Sequence, residues 1–353
     1  MSRFVQLHLL TFYPPCNLNR DDLNRPKTAM VGGVQRLRVS SQSLKRAWRT
    51  SDIFRDRFAD NLGTRTKEMG NLVMARLLAK GVAEEQAQAW AAAIAEKFGK
   101  LKGKEKPTEI EQLAHFTPQE RAAVEALAER LAAAGEPPTD EDLQLLGRSD
   151  SAVDIAMFGR MLAANPGYNV EAAVQVAHAF TADKVAVEDD FFTAVDDLND
   201  GIEDVGAGHM GELEFGSGVF YIYICVDCAL LKENLAGRPD LVGPALQALT
   251  EAAATVAPTG KQNSFASRAY AQYLLAEKGD CQPRSLAAAF VKPVKVKYPD
   301  DDPVTLAINA LKDAYEKMDK AYGPLAEARE DVNAKAGTGS LAEVLTFVGE
   351  ACA

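Results

Sequence analysis

No apolar run in this 353-residue chain approaches the roughly 18 residues that a membrane-spanning helix needs. The N-terminal MSRFVQLHLLTFYPP has one basic residue and a short apolar run. Gln6 and His8 interrupt that run, and no small-residue cleavage site follows, so it reads as a strand and not a secretion signal. Cysteine is scarce: five residues, odd in number and scattered, which fits a reducing compartment and a cytoplasmic protein. Histidine is scarcer. His8, His115, His178 and His209 show no spacing for a metal site or a catalytic triad. Cys225-x-x-Cys228 is a lone pair, and zinc would need two more ligands at useful spacing. It is read as two buried thiols, with a redox or zinc role as the alternative. Gly206–Gly211 (GAGHMG) matches G-x-G-x-x-G, but an acidic segment precedes it and LEFGSG follows, where a dinucleotide site needs a strand and a helix. There is no internal repeat, and nothing implies a cofactor.

What the chain does have is one basic island in an acidic whole. Its formal net charge is −11. Residues 1–50 carry nine Arg or Lys and only Asp21 and Asp22 as acids, so the remaining residues carry −18. Eight of the cations fall in residues 17–49, NLNRDDLNRPKTAMVGGVQRLRVSSQSLKRAWR. Such asymmetry argues for one polyanion site on a molecule that otherwise repels polyanions. The rest of the composition, 47% hydrophobic and 25% charged, is that of an ordinary globular protein.

Residues 3–13 alternate as a mostly buried strand that Pro14-Pro15 ends. Gly32-Gly33 predicts a tight turn, and Ser40-Ser41 can cap a helix over 42–59. Residues 60–147 read as all helix. There Thr117 and Glu120 form a capping box, with Pro118 in the first turn and Gly135 as the stop. A strand is expected at 150–160 and a helix at 169–181. Residues 183–216 form a protruding loop or hairpin. Strands follow at 218–231 and 267–277, with helices at 239–258, 302–323 and 340–352 and a short one at SLAAAFV between them. With insertions removed the order is strand, helix, strand, strand, helix, strand. The expected class is α/β (α+β), on the split βαβ ferredoxin-like plan that RNA-binding RRM domains also use.

Lys45, Arg46 and Arg49 fall at helical spacing near a helix N-terminus, where backbone N–H groups also favour an anion. Ser40, Ser41 and Gln42 add neutral donors. The plain alternative is a solvated helix face with ordinary loop arginines. Asp21 and Asp22 lie within the cations. They either orient Arg20 or Arg25 or place a metal for RNA cleavage. The acids between 189 and 204 read as a solvated loop.

CNLNRDD-N-PK followed by GG-x-x-R-x-R-x-SSQSLKRAWR resembles the CasC-type backbone subunits (the Cas-seven group) of the type I-E CRISPR surveillance complex, Cascade. VDIAMFGRM at 153–161, DFFTAVDDL with HMGELEFGSGVFYIY at 190–223, and TGKQNSFA at 259–266 agree with it, in order. The helical part, 60–147, carries little of the likeness. The resemblance implies an RRM-like palm (1–59 and 148–353), a finger-like helical insertion (60–147) and a thumb (183–216). It implies copies stacked along one crRNA beside other Cascade subunits, with guide bases left free to pair with target DNA. Arg20, Lys27, Ser40, Gln42, Lys45, Arg46 and Arg49 would hold the RNA backbone. Met161 would wedge against bases. Phe192, Thr193, Val195 and Met210 would belong to the thumb, and Lys261 and Gln262 would be a further RNA contact. No catalysis is implied. The competing reading is a metal-dependent ribonuclease of the same superfamily using Asp21 or Asp22.

Overall fold

The structure is a computed structural model and describes residues 3–147, 152–194 and 209–352. In chain order the elements begin β1 (Phe4–Cys16), β2 (Thr28–Val31), β3 (Val34–Val39), α1 (Ser41–Arg49), α2 (Asp52–Phe58), β4 (Thr64–Thr66), α3 (Met69–Ala79) and α4 (Glu84–Glu96). They continue with β5 (Ala114–Phe116), α5 (Pro118–Ala134), α6 (Val153–Phe158), β6 (Val174–Val176), β7 (Ala179–Thr181), β8 (Glu188–Ala194) and β9 (His209–Asp227). The last are α7 (Cys228–Asn234), α8 (Val242–Thr255), α9 (Gln262–Phe265), β10 (Tyr273–Gly279), α10 (Pro303–Tyr322), β11 (Ala328–Asn333) and α11 (Leu341–Gly349). The described residues fall into two compact units. One lies within Met1–Phe54, Val176–Val226 and Leu246–Ala353, the other within Arg55–Gln175 and Asp227–Ala245.

The first unit is built on one sheet whose path runs β11-β10-β1-β9-β7-β3-β2. β10 is antiparallel to both β1 and β11, β7 to both β3 and β9, and β2 to β3. β1 is covered on both faces, so Val5, Leu7 and Leu9 are buried on one side and Gln6, His8 and Leu10 on the other. The amphipathic helix α10 buries Val304, Ala307, Ile308 and Leu311 in a core with Leu10, Tyr221 and Tyr273.

Burying Gln6 and His8 is tolerable because each is bonded. Gln6 Oε1 accepts from the Tyr223 hydroxyl and the Arg284 N–H, both at 2.8 Å. Glu277, wholly buried, is held by Arg284 through two bonds of 2.6 and 2.9 Å and by Arg329 Nε at 2.6 Å. Burial alone would raise its carboxyl pKa. The bonds from His8 and Arg284 outweigh that and hold it well below the usual range. Burial keeps His8 neutral, so its Nε2 donates to Glu277 at 3.2 Å and its Nδ1 accepts from the Tyr221 hydroxyl at 2.9 Å.

The second unit is mostly helical. Its core gathers Val73, Leu77, Trp90, Ile94, Phe116, Val124 and Leu131 from α3, α4, β5 and α5. The capping box on α5 is present, with Gly135 left-handed at its end. Glu120 does double service: it closes that box and takes two bonds from the buried Arg160, at 2.8 and 2.9 Å.

Several expectations change. The expected strand at 150–160 is the helix α6; residues 150 and 151 lie outside the described residues. Val153–Met157 are all buried, so α6 shows no polar face and its period is invisible. The expected helix at 169–181 is replaced by β6 and β7, where Val174, Val176 and Thr181 follow β propensity over the alanines. The helix expected over 42–59 breaks at Thr50-Ser51, whose hydroxyls bond back to Arg46 and Trp48 carbonyls. The all-helical 60–147 also holds the β4–β5 pair. The strand expected through 231 stops at Asp227, whose carboxylate caps α7. The one expected over 267–277 starts at Tyr273, and β11 was not expected.

Candidate nucleic-acid interface

The basic stretch folds as a loop, a hairpin and a helix. Asn17, buried, donates from Nδ2 to the Asn24 carbonyl at 3.1 Å and to the Glu214 carbonyl on β9 at 2.9 Å. Asp21 Oδ1 accepts the N–H groups of Leu23 and Arg25, both at 2.9 Å, an Asx-type turn that lets Asn24 adopt φ 64°. The acid thus shapes the loop through backbone N–H groups, where pairing with an arginine side chain was expected. Arg25 instead pairs with Glu214, Nε to Oε1 at 2.9 Å. The loop is therefore tied at two points to the stem of the β8–β9 hairpin.

Gly32 and Gly33 make the tight turn between β2 and β3, with φ of 60° and 77°. The two arginines of the expected R-x-R cluster stand two apart on β3, and so on one face, but differ in burial. Arg36 is fully buried and donates to the carbonyls of Thr181 at 2.6 Å and Phe290 at 2.9 Å. It is a structural peg, which sequence spacing could not distinguish from a phosphate ligand. Arg38 is only half-buried and bonds His178 Nδ1 at 2.7 Å. His178 has its pKa lowered, first by burial and then by the charges of Arg38 and Lys27. A depressed histidine beside two cations marks a positive field at the place where an anion was expected. In sequence His178 shows no metal or triad spacing; the charge cluster around it exists only in the fold.

Ser40, nearly buried, caps α1: its Oγ accepts from Ser43 N at 3.3 Å, and its own N–H is held by Asn19 Oδ1 at 2.9 Å. Leu44 and Trp48 anchor the inner face of α1. Gln42 and Arg46 are exposed, while Lys45 and Arg49 are half-buried. Partial burial lowers the Lys45 pKa. The loop before α9 closes the same site. A Cβ on Gly260 would lie 2.2 Å from the Leu18 carbonyl oxygen, so only glycine lets this loop seat beneath the basic one. Lys261 follows in the left-handed region, φ 50°, with Gln262 after it, both half-buried. Arg20 and Lys27 flank the loop, Arg20 bridging Pro26 and Lys27 N bonding the Asn19 carbonyl at 2.8 Å. The fold thus brings Arg20, Lys27, Ser40, the α1 residues, Lys261 and Gln262 into one unit.

The β8–β9 hairpin pairs Phe192 with Gly211 and Thr193 with Met210. The Phe192 ring lies across Gly211, where an added Cβ would meet it at 2.6 Å. Phe191 and Phe192 are both exposed. Val195 lies outside the described residues. The second half of GAGHMG is strand, so no helix follows it.

Met161 belongs to the other unit. Arg160 beside it is buried, with Tyr168 and Gly147 carbonyls accepting from its guanidinium. That anchor leaves Met161 projecting, 73% exposed, on the rim of a groove of about 260 Å³ lined by Phe98, Leu113 and Leu162.

Among the described residues no group of three His, Cys, Asp or Glu could hold a metal, and no helix is long and apolar enough to cross a membrane. Cys225 is a buried thiol, but Cys228 is disulfide-bonded, so the expected pair of thiols is not present.

Two solved structures resemble the chain closely. One, a chain of a "CRISPR RNA-guided surveillance complex, pre-nicking", is 29% identical with a TM-score of 0.85, covering 99% of this chain and 100% of that one. The other, from a "CRISPR RNA-guided surveillance complex", is 24% identical with a TM-score of 0.73, covering 98% and 99%, and speaks to the fold alone. No curated protein matches significantly. The family described as CT1975-like protein matches residues 5–346, nearly the whole length, and the chain belongs to this family of Cas proteins.

Proposed function

We propose that this chain is a component of a CRISPR RNA-guided surveillance complex and, more finely, its RNA-binding backbone subunit of the type I-E kind. The sheet of the first unit is its RRM-like palm, residues 60–147 a finger-like insertion and 183–216 a thumb. Copies assemble along a crRNA beside other subunits and leave guide bases to pair with target DNA. One observation carries this reading. The loop of residues 17–27, helix α1 and the Gly260–Gln262 turn converge as a basic seat in an acidic chain. Such a seat binds phosphates without reading bases. The 29% identical relative, itself a chain of such a complex, supports it.

The test is to purify the chain with and without RNA and measure binding across unrelated guide sequences. Lys45→Ala with Arg49→Ala should weaken all guides equally and flatten the salt dependence by roughly 1.5 in log–log slope. A sequence-selective loss overturns backbone recognition.

The subunit has no catalytic role in this reading. Asp21 Oδ1 is already engaged by two backbone N–H groups, which favours a structural part for it. An RNase assay with Mg²⁺ comparing the wild type with Asp21→Ala and Asp22→Ala checks this. Asp-dependent products spaced along a target RNA would establish the ribonuclease instead.

A further inference from the structure

Glu214 is an acid set against the basic island. It stands on β9 at the stem of the β8–β9 hairpin, and its Oε1 accepts from Arg25 Nε at 2.9 Å. The Arg25 side chain is 60% exposed and that of Glu214 18%, so the pair is open to solvent on the arginine side. Water and salt screen such a pair, and its worth to the fold is small. The stem does not depend on it. Asn17 Nδ2 already holds the Glu214 carbonyl at 2.9 Å. Cys16 Sγ donates to the Gly216 carbonyl at 3.3 Å, and Ser217 Oγ to the Tyr13 carbonyl at 2.9 Å. The Phe215 ring packs on Phe265 of α9, with centroids 5.9 Å apart. Residues 214–217 are thus held without the ion pair.

The Glu214 carboxylate is also a burden to its own hairpin. Its register partner on β8 is Asp189, and like charges directly opposite each other on antiparallel strands repel. Glu212, two residues away on β9 and exposed, shares that face. An acidic strip of Asp189, Glu212 and Glu214 therefore runs along one face of the hairpin and touches the basic loop at Arg25. A guanidinium takes carboxylate and phosphate oxygens with the same fork of donors. Beside a phosphate seat, Glu214 holds the position that a phosphate oxygen would take on Arg25.

We propose that Glu214 is a built-in competitor of RNA phosphate for Arg25, and that their ion pair is a latch between the hairpin and the basic loop. In the free chain the guanidinium rests on Glu214. Seating RNA moves it to a phosphate oxygen, and the Arg25–Glu214 bond opens. Asp189 and Glu214 are then left facing each other without a cation, and of the two ties between loop and hairpin only the Asn17 bond remains. The occupied seat thereby loosens the hairpin's link to the loop. The latch also discriminates. A small free anion must displace an intramolecular carboxylate unaided. A phosphate on a chain already held by the other cations of the seat arrives at high effective concentration and displaces it readily.

The latch rests on the RNA-binding reading above, and the test separates the two. Binding of mixed-sequence single-stranded RNA to the full-length chain is titrated with salt. The wild type is compared with Glu214→Gln, Glu212→Gln, Arg25→Ala and the Arg25→Ala, Glu214→Gln double variant. Glu212→Gln removes the same charge from the same face, two residues from the pair. Glu214→Gln should melt like the wild type, since the Asn17 bond goes to a backbone carbonyl that Gln keeps. It should tighten RNA binding about threefold to fivefold and steepen the log–log salt slope by up to about 0.7. Glu212→Gln should do clearly less, and in the Arg25→Ala background the gain from Glu214→Gln should vanish. An equal gain from Glu212→Gln, or a gain that survives without Arg25, overturns the latch in favour of a general negative field. Weaker binding by Glu214→Gln overturns it too, since Glu214 would then be holding Arg25 in place for the phosphate. Lys45→Ala with Arg49→Ala is the control. If that variant weakens binding while Glu214→Gln changes nothing, the latch alone fails; if neither changes binding, the RNA-binding reading fails and the latch with it.

Discussion

Glu277 is the residue whose charge the sheet can least do without. Two arginines and a neutral histidine converge on it, so its removal leaves the nearly buried Arg284 without its carboxylate partner and Arg329 with Asp319 alone. Glu277→Gln should destabilise the fold by about 3–5 kcal/mol in denaturant titration. The sign with pH follows from the depressed carboxyl. Its stabilisation is fully present above the unfolded value of about 4.3 and is lost as pH falls toward the folded value. Acid should therefore narrow the gap between wild type and Glu277→Gln; a gap constant from pH 6 to pH 2 contradicts the assignment. His178 works at the outer face in the opposite sense. Burial, Arg38 and Lys27 all disfavour its protonation. An RNA phosphate in the seat offsets those two cations, so its NMR titration midpoint should rise on RNA binding. A midpoint that ignores RNA places the phosphate elsewhere.

At the scale of elements, the β8–β9 hairpin is shaped by one absent side chain. Gly211 leaves room for the end of the Phe192 ring, and a Cβ there would displace the ring. Gly211→Ala should change stability by less than about 1 kcal/mol, because the ring is exposed and can swing away. RNA affinity should nevertheless drop several-fold in a filter-binding assay if the ring meets bases. Equal affinity would remove Phe192 from the interface. Elements with local signals were legible in the sequence: the Thr117–Glu120 box, the Ser40 cap, the Gly32-Gly33 turn and the buried run of β1. Elements whose state is set by distant partners were not. β7 is strand because β3 and β9 flank it, and α6 is helix with no solvent face to betray its period. The site divides in the same way. Its cations could be counted, but only the fold turns Arg36 inward and gathers Lys27, Arg38 and His178.

At the scale of the molecule, the distribution of charge decides what stays unbound. A net −11 spread over most of the surface repels any polyanion that approaches at random. Attraction is concentrated at the seat, where eight Arg or Lys fall within residues 17–49. Near 0.15 M salt the Debye length is about 8 Å, so a nucleic acid feels the seat only when already close to it. A long unrelated duplex is stiff and presents its phosphates on a fixed cylinder. It cannot bend to follow the 17–27 loop, α1 and the Gly260 turn in succession. Single-stranded RNA can, because its backbone bends to each contact in turn. The isolated subunit should therefore retain mixed-sequence RNA at about 0.15 M salt and release unrelated duplex DNA under the same conditions. Lowering the salt should strengthen RNA binding more steeply than duplex binding, since only the RNA engages the full set of cations. Tight binding of unrelated duplex by the isolated subunit would show that the acidic remainder does not screen the basic sites.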